Sequence, residues 1–360
     1  MSTDPTLVLD FGSGFVKAGF AGNDAPSLVF PTVIGKFRHA KATTTGNSEP
    51  LIGEPALSNS DVVLKYPIVR SQVQIPKDFF HIVKYVFETL DLKGENCNVL
   101  ISRPSDIDVS QLGLITEHFI EALHVQSISF VSSAALSLLS TGRVTGIVAE
   151  CGYGITNVVP IFEFFGLEHA RNTSKLGGQD VDAYLKSLLK KIGMGDNDNN
   201  AVQEVKEQLC FVKPSKSQNP TEPVPYELPS GTRLMIGEER HLGAEVLFNP
   251  KLNEIDAIGI SEALRVSINR CDEYLKTDLY QNIVISGGST MFPGMAERIE
   301  ADLAPDVKKG LNVIAAPERK YGAWVGGSIF ASTPVFEQFQ IKKSDWETQK
   351  ESIFRQKSFM

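Results

Sequence analysis

One short pattern occurs twice in this chain, and that repeat limits its folding options more than any other feature. Residues 8–20, VLDFGSGFVKAGF, and residues 148–160, VAECGYGITNVVP, share an apolar strand, a carboxylate (Asp10, Glu150), one further residue, a Gly-x-Gly bend and a second apolar strand. Gly12 and Gly14 of the first copy coincide with Gly152 and Gly154 of the second. A strand–turn–strand unit repeated in both halves predicts two related domains, each needing its own covering layer. With 360 residues and 42% hydrophobic content the chain is long enough to bury two cores.

The stretches around the repeats alternate between the two periodicities of an α/β protein. Strands are expected over residues 6–10, 15–20, 98–102 (NVLIS) and 127–131. Phe79, Val83, Val86 and Leu90 fall on one face of a helix opened by Pro76, and Leu112, Ile115, Phe119 and Ala122 line the next. Polar, glycine- and proline-rich composition marks loops at residues 41–50, 195–200 and 213–226. A third glycine element follows the strand of residues 282–286 (NIVIS): Gly287-Gly288-Ser289-Thr290, leading to a helix from Pro293 onward.

Composition removes several classes of function. Lys plus Arg number 35 against 43 Asp plus Glu, a formal charge of −8, which argues against nucleic-acid binding by bulk charge. No apolar run reaches the roughly 18 residues that span a bilayer, and the first residues lack the basic and apolar regions of a signal peptide. Cys97, Cys151, Cys210 and Cys271 are widely spaced and read as reduced, buried thiols. The six histidines are scattered without an HExxH, so a zinc site is not expected.

The bends carry the chemistry. Glycines remove the Cβ that would keep an anion from backbone N–H groups, so a Gly-x-Gly bend suits phosphate. Two such bends facing one another would clamp a polyphosphate. Asp10 and Glu150 would then lie where a largely hydrated divalent cation bridges the phosphates. Ser13 offers a hydroxyl and Lys17 a cation. The Gly287-Gly288 element, opening toward a helix, suits a nucleotide or its ribose. Neither a GxxxxGK[ST] loop nor a GxGxxG opening a helix is present.

Residues 7–35, 64–68 (LKYPI), 145–163, 205–212 (VKEQLCFV), 285–299 (ISGGSTMFPGMAERI) and 314–332 (IAAPERKYGAWVGGSIFAS) resemble, in order, the signature segments of actin. The resemblance covers nearly the whole chain and identifies it as a divergent member of that family. It implies an α/β, actin-like ATPase fold of two duplicated domains, each with a small subdomain and a nucleotide cleft between them. The expected layout is a first domain over residues 1–132, with its small part at 30–66, completed by residues 320–360. The second domain would span 133–319, with its small part at about 178–255. By motif match, Asp10, Gly12, Ser13, Gly14, Phe15 and Lys17 form a first phosphate segment, and Glu150, Gly152, Tyr153, Gly154 and Ile155 a second. Gly178, Lys206, Glu207, Gly287, Gly288, Met291, Phe292 and Lys320 fall where actin surrounds ribose and adenine. The implied cofactors are ATP or ADP with Mg or Ca, the metal facing Asp10 and Glu150 through water.

The departures from the actin pattern point to altered chemistry. Actin has Asp-Ser-Gly-Asp-Gly where this chain has Glu150-Cys151-Gly152-Tyr153-Gly154, so Tyr153 replaces a carboxylate with a ring. Actin's water-positioning glutamine falls at Ser133 and its nearby histidine at Asn157, neither of which reaches as far or titrates. Positioning the attacking water is most of what a protein contributes to phosphoryl transfer to water. Hydrolysis is therefore expected to be slow or absent, and no catalytic residue is assigned. Residues 38–50, RHAKATTTGNSEP, correspond to an actin loop that carries apolar residues into the next subunit, yet are almost wholly polar. The expectation is an ATP-binding, actin-related subunit of a cytoskeletal or other multiprotein complex, partnered by actin-family or complex proteins rather than nucleic acid or membrane. Its expected setting is the cytoplasm, with the nucleus as a second. The competing expectation is an ATP-hydrolysing, filament-forming actin.

Overall fold

In the computed structural model, residues 5–38, 49–195, 198–214, 219–307 and 310–357 are described. The chain divides into two compact units, Met1–Arg143 with Tyr321–Met360, and Val144–Lys320.

The first unit is built on a six-stranded sheet. In chain order its elements include β1 (Thr6–Phe11), β2 (Phe15–Phe20), β3 (Leu28–Pro31), α1 (Pro76–Thr89), β4 (Asn98–Arg103), α2 (Val109–Glu117), β5 (Ser127–Ser132) and α3 (Ser133–Leu139). The sheet runs Ile341–Lys342, β5, β4, β1, β2, β3, with β1, β4 and β5 mutually parallel. Every residue of β4 and β5 is buried, as expected of central parallel strands covered on both faces. Phe79, Val83 and Val86 of α1 are buried in the core, and Leu90 caps the helix half-buried.

The second helix departs from simple periodicity. After α2 the chain makes a π-turn over His118–Ala122. The wider turn rotates the following face, so Ile120 enters the core while Ala122 is exposed, although Leu112, Ile115 and Phe119 are buried as expected.

The second unit repeats the plan with β6 (Gly146–Cys151), β7 (Thr156–Phe162), α4 (Gly178–Lys191), α5 (Asn199–Leu209), β8 (Ile283–Ser286) and α6 (Met295–Leu303). Its sheet runs Phe165–Gly166, β7, β6, β8, Val313–Ile314, with Asn172–Ser174 added to β7. Two segments expected as loops contribute regular structure. Helix α5 begins at Asn199, anchored by buried Ala201, Val202 and Val205. Val224–Glu227 forms a strand against Arg233–Ile236, its half-buried Val224 and Tyr226 alternating with exposed neighbours. Arg298 of α6 is 8% exposed; it donates to both oxygens of Glu245 at 2.7 and 2.9 Å, meets Asp302, and lies 4.4 Å from the Phe248 ring centroid.

Candidate functional site

The two sequence repeats fold into hairpins of identical register. In the first, Leu9 pairs with Ala18, Asp10 with Lys17 and Phe11 with Val16. In the second, Ala149 pairs with Val158, Glu150 with Asn157 and Cys151 with Thr156. Each bend closes in the same way: the Gly12 N–H donates to Phe15 O at 3.1 Å, and the Gly152 N–H to Ile155 O at 2.9 Å. The parallel neighbour repeats as well. Asp10 stands opposite Ser102 of β4, and Glu150 opposite Ser286 of β8. The signal for this was in the sequence, where both strands read Asn–three apolar–Ser (NVLIS, NIVIS).

Around the first bend, both oxygens of Asp10 are engaged. Lys17 Nζ sits 2.7 Å from Oδ2, and the Ser102 hydroxyl donates to Oδ1 at 2.6 Å. Thr32 ties the bend from the other side: its hydroxyl donates to Gly12 O at 2.7 Å and its N–H to Gly14 O at 2.9 Å. Ser13 is buried, and its hydroxyl accepts from the Ser71 N–H at 2.9 Å. Ser71 and Arg70 form a tight turn between short strands with both φ angles positive, at 62° and 50°. Strained non-glycine backbone of this kind persists only where its surroundings hold it. Ser102, Thr32 and Ser71 are supporting residues that motif reading did not reach. Phe15 is exposed, and Ser133 is buried at the start of α3.

The second bend docks onto the start of α4. The Gly178 N–H donates to Gly152 O at 3.0 Å and the Gln179 N–H to Tyr153 O at 2.9 Å, which satisfies amides a helix N-terminus leaves open. A Cβ on Gly178 would lie 2.7 Å from Ser289 Oγ and 3.1 Å from Tyr153 Cδ2. Ser289 itself donates to Gly152 O at 2.8 Å, so the third glycine element is fastened to the second bend. Gly287 has φ 90° and ψ 153°, and a Cβ there would stand 2.3 Å from Cys151 O. Its N–H donates to Arg319 O at 3.1 Å, bringing the chain before Lys320 alongside. Gly288, in contrast, is exposed with open space where a Cβ would be.

Tyr153 is 37% exposed, and Lys206 Nζ lies 5.6 Å from its ring centroid while pairing with Asp182 at 2.6 Å. The structure thus gathers Glu150, Gly152, Tyr153, Gly154, Ile155, Gly178, Lys206, Gly287 and Gly288 at one locus of the second unit. Met291 is half-buried, Phe292 is part of the core, Lys320 is exposed, and Glu207 meets Gln203 on its own helix. Asn157 is 1% exposed, and its Oδ1 accepts from the Thr173 hydroxyl at 2.9 Å.

Cys151 sits between the carboxylate and the bend without being reactive. Burial pushes its thiol up to about 11, outweighing the hydrogen bond from Thr156, so it stays protonated near neutral pH. Among the described residues, no group of three or more His, Cys, Asp or Glu side chains forms a cage for a metal.

A duplicated α/β frame with a glycine bend and a carboxylate at the same register in each unit is the arrangement of an actin-type fold. The actin family model matches residues 1–359, and the chain belongs to the actin family. It is 34% identical over 367 residues to a centractin of Schizosaccharomyces pombe, an alignment covering 98% of this chain and 97% of that protein. Actin-family proteins bind a nucleotide and a divalent cation. Among the described residues no helix is long and apolar enough to cross a membrane.

Proposed function

We propose that this chain is an actin-related subunit of a multiprotein complex that binds ATP or ADP, with Mg or Ca, and hydrolyses ATP slowly or not at all. The observation that carries this is the matched register of the two hairpins, including carboxylate, bend closure and the serine of the neighbouring strand. Gly12 and Gly152 spend their own N–H groups inside the bends. Recognition of phosphate is assigned to Gly12, Ser13, Gly14, Phe15 and Lys17 in one unit and to Gly152, Tyr153, Gly154 and Ile155 in the other. Asp10 and Glu150 are hard oxygen donors, the ligand type suited to a cation that keeps several waters. When bound, the cation neutralises phosphate charge. Gly178, Lys206, Gly287, Gly288, Met291, Phe292 and Lys320 are assigned to ribose and base, with Glu207 beside them.

Slow hydrolysis follows from what the residues at the water-positioning places can do. Ser133 has a short side chain, Asn157 cannot titrate and already holds Thr173, and Tyr153 lays a ring against Lys206 where actin has a carboxylate. The share of a nucleotide in such a subunit is stabilisation: at 100 times its dissociation constant a ligand adds about 2.7 kcal/mol. The setting proposed is the cytoplasm and its cytoskeleton, or the nucleus. The polar tip of residues 38–50 falls largely outside the described residues.

The test is direct. Purified protein is denatured, and the released nucleotide is identified by mass and absorbance; ATP or ADP at near one per chain is expected. Phosphate release should be far slower than from an actin that keeps all three positioning groups, and Tyr153→Asp should raise it. An empty protein, or fast release with ATP-dependent pelleting, would overturn the reading.

A further inference from the structure

The first unit has a second candidate site that the nucleotide reading does not use. A cavity of about 330 Å³ is lined by Ile120, Glu121, Lys343, Trp346 and Glu347. That is near the lower end of the range for ligand pockets, roughly 300–1,000 Å³. Three independent features meet there. The π-turn His118–Ala122 supplies Ile120 and Glu121, and such turns are frequent at functional sites. Trp346 is 4% exposed, and its Nε1–H has no acceptor among the described residues, a cost that native proteins seldom leave uncompensated. Lys350, which follows the short helix Lys343–Gln349, has φ 48° and ψ −137°, backbone that a side chain rarely adopts.

Lys350 explains what kind of ligand fits. Its Nζ lies 5.1 Å from the Trp346 ring centroid and 3.9 Å from Glu121 Oε1. An aromatic face beside a carboxylate is a seat for a cation, and here the chain's own ammonium sits in it, loosely, on strained backbone. Lys343 and Glu347 are also 3.9 Å apart, at the outer limit of an ion pair. We infer that this cavity receives an arginine side chain presented by a partner protein, with Lys350 holding the seat as an internal stand-in. A guanidinium is planar, so it stacks on the indole while binding a carboxylate through two parallel hydrogen bonds, which an ammonium cannot do. The peptide carbonyl next to that arginine brings the acceptor that the indole N–H lacks.

The chain has two tryptophans, so its indole N–H resonances give a two-signal readout. Trp324, buried in the core with its Nε1–H donated to Val8 O at 3.0 Å, is the internal control. The full-length protein is titrated with N-acetyl-arginine amide and, separately, with the neutral N-acetyl-glutamine amide. The Trp346 signal, assigned from Trp346→Phe, should shift saturably with the arginine probe only, while that of Trp324 stays. Lys350→Gly should lower the half-saturation concentration at least fivefold, and Glu121→Gln should raise it at least fivefold. Both are surface changes that leave the core intact. The inference fails if the Lys350→Gly protein shows no saturable shift, if the neutral probe acts equally, or if Glu121→Gln leaves the titration unchanged.

Discussion

Gly287 and Gly288 are adjacent in sequence, yet substituting each with alanine should affect different properties, stability at the first and nucleotide binding at the second. At Gly287 the backbone lies at φ 90°, ψ 153°, a region nearly reserved for glycine; holding a side chain there costs about 1–3 kcal/mol. The new Cβ would also stand 2.3 Å from the Cys151 carbonyl oxygen, a backbone atom of the neighbouring strand that cannot swing away. Overpacking of that kind adds about 1–3 kcal/mol, so Gly287→Ala should lose about 2–6 kcal/mol. For a unit the size of Val144–Lys320, each kcal/mol moves the melting temperature by about 2–4 °C. At Gly288 a Cβ meets open space, and stability should hold within about 0.5 kcal/mol. Gly288→Ala should instead weaken nucleotide binding, since it puts a methyl group on the surface assigned to ribose. Thermal melts and a fluorescent-nucleotide titration on both variants separate the two effects. Equal melting temperatures for the pair would refute the structural account, and unaltered affinity in Gly288→Ala would refute the assignment.

Other outcomes follow from the same reasoning. Arg298→Met leaves Glu245 and Asp302 without their buried guanidinium and should cost about 3 kcal/mol in denaturant unfolding; a loss below about 1 kcal/mol would show that water already reaches the pair. His118, stacked on Phe80, is held below the usual 6.5 by burial, and His241 is held down by burial and by Lys213. The unfolded chain therefore takes up these protons first. Stability should be full above pH 6.5 and fall as the pH drops through the lower folded values. Urea midpoints at pH 7.5 and 5.5 should show that fall, and a His118→Phe, His241→Gln double variant should flatten it.

The frame was legible because its signals are local. Strands such as residues 98–102 are apolar on both faces, and α1 shows a clean helical period from Pro76 onward. The hairpins announced themselves through glycine spacing plus a carboxylate. What sequence hid was cooperative. The π-turn at His118–Ala122 moves Ile120 inward through a change in hydrogen bonding that no residue type marks. The start of α5 at Asn199 is set by tertiary burial of Ala201 and Val205, which overrides polar neighbours that read as loop. At the candidate site, motif comparison found the bends but not their supports. Ser102, Thr32, Ser71 and Asp182 act through contacts distant in sequence, and only the Ser102–Ser286 correspondence had left a trace, in the two related strands.

The shared register also bears on how such a chain can vary. In each unit the hairpin and its parallel neighbour form a fixed chassis, while the chain that joins them is long and unlike its counterpart: residues 21–97 in the first unit, 163–282 in the second. The two units differ most in that interval, which nonetheless supplies Thr32 and Ser71 to the first bend and the start of α4 to the second. A single residue added inside a hairpin strand would turn every following side chain of that strand to the opposite face, so the shared register leaves the connecting chain as the place where the units can differ.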